Sequence, residues 1–332
     1  MLSDSEVAQA QRAAHIPHVL HTGQRIWIAP NPFASLWVEI LHAWNFEPFA
    51  ALGCTIALQF EVDQFGTLVF PAEDLQSLFG VTTSRLTVFD SLASHIAAQT
   101  AEGHVVLVDL DPFHLPDTPD LYGARHGTTL VAIDRLDPVA ETASYYRQGR
   151  RFELSGADYH GAFKEVAAPV SAGEFHPTLL RSLTCVKRRV GTSTYLSPEE
   201  TVKVSWQAFQ HHLARLPAQN PIAAFRAIFQ QRLELLVAND ESYRHAFVYG
   251  TLSQLGSHFE LFSAYLSWLA ERGYAYPKRA LQASRQIVSE TLVCQLRLLR
   301  ATSRGHIDRC DDCLDRIQHN YDNVVAALTA DR

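Results

Sequence analysis

Apolar and polar positions follow two different periods along this chain, and the switch between them divides it. In the first half, short apolar runs bounded by Pro, Gly and Asp alternate with helical spacing. Gln24 to Ala29 (QRIWIA) and the run VDQFGTLVF predict short strands, and HVVLVDLD after Gly103 predicts a buried one. GTTLVAID, opened by His126, and the run from Ala143 to Leu154 predict two more strands, joined across an Asp-Pro turn. Helical spacing covers Phe33 to Ala43, with Pro32 in its favoured first-turn position. It recurs from Phe49 to Leu58, from Pro71 to Gly80 and from Ser91 to Thr100. Ser155 and Asp158 are caps for a short helix, SGADYHGAF.

After about Val170 the strand-like runs stop. From Ser197 the chain reads as helices separated by short breaks, starting with SPEETVKVSWQAFQHHLARL, whose Ser-Pro-Glu-Glu is a strong helix start. Four further helical segments follow, so a five-helix bundle is expected. The organisation predicted is a lead-in over 1–24, an α/β domain over 25–170 and a helical bundle over 171–332. The fold class is α+β.

A length of 332 residues allows two packed units. A net charge of −7 argues against a general nucleic-acid binder, which needs a basic face. No run approaches the roughly 20 apolar residues that span a bilayer, and the polar, acid-bearing N-terminus is unlike a signal peptide. Five cysteines, an odd number, fit reduced thiols better than a disulfide framework. A cytoplasmic protein is expected.

The segment richest in chemistry is Asp109-Leu-Asp-Pro-Phe-His-Leu-Pro-Asp-Thr118. A strand end running into a Pro-bounded loop is a frequent setting for catalytic groups, because the sheet fixes them and the loop exposes them. It offers Asp111, His114 and Asp117, followed by His126, an imidazole able to titrate near neutral pH. The plainer reading makes Asp111 a turn cap and His114 a spacer. No His pair at ligand spacing occurs in this segment, so no metal is expected.

Cys310-Asp-Asp-Cys313 has redox-like spacing but lies in the last helix, without a preceding strand. Cys54 reads as a small core hydrophobe. Cys185 precedes Lys187, Arg188 and Arg189, a basic cluster that could lower its pKa, dock an acidic partner or simply face solvent. Glu61, Asp63 and Gln64 form a polar group within an apolar stretch, either a structural network or part of a site.

LWVEILHAWNFEPFAAL, FEVDQFGTLVFPAEDLQSLFG, VDLDPFHLPDT and HGTTLVAIDRLDP together resemble domain-of-unknown-function family 1839. SYRHAFVYGTLSQLGSHFELFSAYLSWLA fits the same bacterial family, which is often found near small-molecule biosynthesis genes. The front half of the family is similar to the acyltransferase of butirosin biosynthesis. That resemblance implies a papain-like (cysteine-protease-like) N-terminal domain ahead of the bundle. It also implies transfer of an acyl or aminoacyl group from a carrier-protein thioester, or from aminoacyl-tRNA, to a small-molecule amine.

In such enzymes a Cys at a helix N-terminus attacks, a His acts as base, and an Asn or Asp orients the His. The family's Asn-Cys-Tyr falls here on Asn31-Pro32-Phe33, so proline holds the nucleophile position. The histidine matches His126, and the orienting residue falls near Gln148. The resemblance thus makes His126, Asp111 and Gln148 the catalytic candidates. His114, Asp117, Glu61, Asp63, Gln64 and Asn31 become candidates for substrate contact, and Lys187, Arg188 and Arg189 for donor docking. Without a thiol at Pro32, two readings remain: direct transfer with His126 as base, or a catalytically degenerate scaffold that binds a carrier protein or synthetase. Neither needs a cofactor.

Overall fold

The computed structural model describes residues 15–163, 181–188, 196–274 and 278–330. The chain forms two compact units, one from residues 1–22, 35–46 and 75–195, the other from 23–34, 47–74 and 196–332. Among the described residues, no helix is long and apolar enough to cross a membrane.

The first unit is built on a six-stranded, wholly antiparallel sheet. Its strands are β1 (Val81–Thr87), β2 (Val105–Leu110), β3 (Thr129–Asp137), β4 (Thr142–Arg147), β5 (Arg150–Ser155) and β6 (Ser182–Arg188), in the spatial order β1-β6-β2-β3-β4-β5. Alternate residues point to one face, so Val106, Val108 and Leu110 of β2 and Val131 and Ile133 of β3 share a core. That core is closed by Leu92 and Ile96, and by Tyr159, Ala162 and Phe163. These come from two helices whose ends are marked in the sequence. Ser91 caps one by accepting from the Ser94 N–H at 3.0 Å, and Gly156, at φ +57, opens the other.

Among the described residues the α-helices are α1 (Pro32–Ala43), α2 (Ala72–Phe79), α3 (Leu92–Ala101), α4 (Gly156–Phe163), α5 (Pro198–Ala214), α6 (Pro221–Ala238), α7 (Glu241–Gly250), α8 (Leu252–Glu271), α9 (Lys278–Ser303) and α10 (Asp311–Thr329). The last six form the all-helical back half. α8 is its central rod: Phe259, Phe262, Tyr265, Leu266 and Leu269 are all fully buried. Ser197 and Glu200 close a reciprocal capping box at the start of α5.

Several elements differ from their sequence pattern. Gln24–Ala29 is irregular rather than a strand, because the N–H groups of Ile26 and Trp27 donate to the Glu260 carboxylate at 2.9 and 3.0 Å. The VDQFGTLVF run supplies only one two-residue strand of a small hairpin, Gln64–Phe65, against Phe60–Glu61. Beyond it, the Leu68 N–H goes to the Asn31 side chain at 3.0 Å instead of to a partner strand. Pro48–Ile56 is a 3-10 helix, with Gly53 packed where an added Cβ would meet Phe209 at 3.0 Å. The run Ala143–Leu154 is two strands, folded back at Gln148 and Gly149, whose φ values of +47 and +76 suit a tight hairpin. SYRHAFVYGTLSQLGSHFELFSAYLSWLAERG, one helical segment in the sequence pattern, is two helices, α7 and α8, broken at Thr251. The chain after Val170 is not free of strands, since β6 lies inside the sheet between β1 and β2. β1, which the sequence pattern does not announce, is an edge strand with mostly exposed side chains.

Candidate functional site

β2 ends at Leu110 and the chain turns at once, because Asp111 caps the 3-10 turn Pro112–His114. Asp111 does more than cap. Its Oδ1 accepts the N–H groups of Phe113 and Gly127, both at 3.1 Å, and its Oδ2 lies 2.7 Å from His126 Nδ1. Partial burial raises the Asp111 pKa, but the His126 hydrogen bond and the two amide donors outweigh it and hold the carboxyl below its usual range. The His126 ring stacks on Phe113, with centroids 4.3 Å apart and planes 14° from parallel. One edge of the ring is thus fixed by a carboxylate and one face by an aromatic ring. The side chain is nevertheless 71% exposed.

The loop holding this pair is tied down along its length. Thr118 Oγ1 donates to the carbonyls of Pro112 and Leu115 at 2.8 and 2.7 Å, and the Gly123 N–H returns to the Phe113 carbonyl. Asp117 is an anchor of the loop: its buried carboxylate accepts from Tyr145 OH and, at 2.7 Å, from Arg147. Burial, then the Asp117 charge, pushes the Tyr145 phenol far up, so it stays a donor. His114 packs beside the pair, 6.3 Å from the His126 ring, against α4 where Gly161 leaves it room.

The structure therefore gathers Asp111, His126 and His114, with Asp117 as their support. Gln148 stands apart as an exposed turn residue at the β4–β5 hairpin, and Asp111 is the group that holds the His126 ring. Asn31 is a buried bracket, donating to the Trp27 carbonyl and accepting from Leu68. Glu61, Asp63 and Gln64 are exposed on their hairpin rather than in a buried network. Asp63 and Gln64 line a cleft of about 230 Å³ with Arg232, Tyr243 and Phe247 in the second unit. Lys187 and Arg188 end β6, where Arg188 lies over the Trp44 ring at 5.6 Å, and Arg189 falls outside the described residues. Cys185 is fully buried, donates to Gln99, and has its pKa raised by burial despite Lys187.

Sequence reasoning missed a second constellation in the same unit. His15, His18 and His21 converge on Glu39 of α1, which is completely buried. His15 Nε2 is 2.6 Å from Oε2, the His18 N–H donates to Oε1 at 3.1 Å, and His21 Nδ1 lies against Oε1. Burial raises the Glu39 pKa, but bonds to His15 and His21, the His21 charge and the His18 amide bring it down to about 2. His18 is lowered to about 4, mainly by burial and then by His42. The visible signal was the three-residue spacing of the histidines in HIPHVLH.

The fold and site define a two-unit protein, a mixed α+β domain with an exposed Asp–His pair followed by an all-α bundle. The chain belongs to the DUF1839 family: residues 16–181 match the DUF1839 N-terminal domain and residues 198–330 the DUF1839 C-terminal domain. No curated protein matches the sequence.

Proposed function

We propose that the protein is an acyl- or aminoacyltransferase with a papain-like front domain and His126 as general base. The observation that carries this reading is the 2.7 Å contact of His126 Nδ1 with Asp111 on a highly exposed ring. Asp111 fixes the tautomer so that Nε2 is the proton acceptor, and it stabilises the imidazolium that forms. An amine acceptor loses a proton to Nε2 as its nitrogen attacks the carbonyl of a carrier-protein thioester or an aminoacyl-tRNA ester. The C–S or C–O bond then breaks, and the leaving group takes that proton. Direct transfer of this kind needs positioning and proton removal rather than a thiol.

Pro32, the first residue of α1, favours a second reading. It stands where the resemblance expects the cysteine, and a degenerate scaffold that binds a carrier protein or synthetase would have no use for one. Intact mass spectrometry of aminoacylated carrier protein mixed with small amines separates the two. Amide product from the wild type, reduced on the order of 100-fold or more in His126→Ala, is the expected result. A stable carrier complex without product gives the scaffold.

A further inference from the structure

The cluster around Glu39 contains an arrangement that the Asp111–His126 pair lacks: a hydroxyl on the far side of the imidazole. Ser35 Oγ is 2.9 Å from His21 Nε2, and His21 Nδ1 meets Glu39 Oε1. Nucleophile, base and carboxylate follow one another in contact, the order in which a serine is activated. We propose that Ser35, His21 and Glu39 form a nucleophilic triad, a second acyl-transfer centre that does not depend on His126.

Three observations support a built site. Glu39 is fully buried yet remains anionic, held by His15 and the His18 amide in addition to His21. A buried charge kept at such cost is poised to stabilise an imidazolium beside it. The His21 ring is fixed from the other side by Gly149, where an added Cβ would come within 2.5 Å of the ring. The cover over the cluster is turned inside out: the His15 ring and the His18 main-chain N–H bond to Glu39 and His18 is buried, while Ile16 and Val19 are 82% and 53% exposed. Apolar side chains facing solvent on a polar-anchored segment suit a cover that an acyl donor engages and lifts. His21 keeps its place through Ser35 and Glu39.

In the reaction, Ser35 Oγ attacks the carbonyl carbon of an activated ester or thioester as its proton passes to His21 Nε2. The C–O or C–S bond breaks, the leaving group takes the proton, and an acyl-serine ester remains. Water or an amine then attacks that ester, giving a proton to Nε2, which returns it to Oγ as the C–Oγ bond breaks.

A fluorophosphonate probe tests the triad on the full chain, because an Oγ–P bond forms with loss of fluoride only at an activated serine. Peptide mapping should place the label on Ser35 in the wild type and find none on that peptide in Ser35→Ala. In Ser35→Cys the introduced thiol should react with iodoacetamide at neutral pH on the order of 100-fold faster than buried Cys294, because its imidazole partner favours the thiolate. An unlabelled Ser35, or an introduced thiol no more reactive than Cys294, overturns the proposal. The readout is labelling rather than amide formation, so it stands or falls apart from the role of His126.

Discussion

The first unit carries the same pair, a histidine against a carboxylate, in two environments. Asp111 and His126 lie at the surface of a loop after β2, while Glu39 of α1 and His21 of the 3-10 turn Val19–His21 lie beneath the surface. The exposed pair is accessible but rests on few contacts: one ring nitrogen, two amides and one stacked phenylalanine. The buried pair is over-determined by two further histidines, a serine and a glycine, and is closed to solvent. Desolvation makes each contact of the buried pair stronger and makes the loss of any one more costly. Exposure leaves the His126 ring open to solvent at little structural cost.

The largest effect expected from this contrast is on Glu39. Glu39→Gln removes the buried charge that orders three histidines, and should cost about 3 kcal/mol in denaturant titration. A loss below about 1 kcal/mol would mean that the buried cluster is no more rigid than a surface pair.

A second test uses acid. His18 drops from 6.5 to about 4 in the fold, so between those values the unfolded chain binds the extra proton. Its contribution is full above pH 6.5 and is lost as the pH falls toward 4. Glu39, depressed from 4.5 to about 2, contributes fully above pH 4.5 and loses that contribution toward 2. Stability should therefore fall in two successive stages on acidification, and His18→Asn should shrink the first, which buried His258, also lowered to about 4, shares. A wild-type profile flat from pH 6.5 to 4.5 would contradict the burial of His18.

The smallest effect belongs to the surface. Asp111→Asn should change stability by no more than about 1 kcal/mol, since exposed pairs contribute little. It should still slow amide formation by misorienting His126. A Tm shift as large as that of Glu39→Gln would place Asp111 among the structural groups and erase the contrast.

The Asp111 loop was legible because its residues are adjacent in sequence, and because strand, proline and acid follow in the order that builds a rigid exposed turn. α1, α2 and α3 were legible from Pro32, Pro71 and Ser91 at their starts. β6 was not. In SLTCVKR only Leu183, Cys185 and Val186 are buried, and the strand exists because β1 and β2 offer it two edges. The Ser35–His21–Glu39 line was hidden for a related reason. Its members lie on separate elements, a 3-10 turn and a helix, and no periodicity in either predicts that the two meet.

The position of β6 has a consequence for how the chain comes to be folded. In the sheet, β6 is the neighbour of β1 and also one of the two neighbours of β2, yet among the described residues it is the last strand in chain order to leave the ribosome. Until Ser182–Arg188 emerges, β1 has no partner and β2 presents an open edge, the type of surface that invites pairing with another chain. Four strands, β2 to β5, pair with their neighbours in chain order and can assemble while the nascent chain grows. β1 must wait for one long-range closure by β6, a slow step by its topology. That interval, rather than the finished fold, is when the unpaired edge of the sheet is exposed.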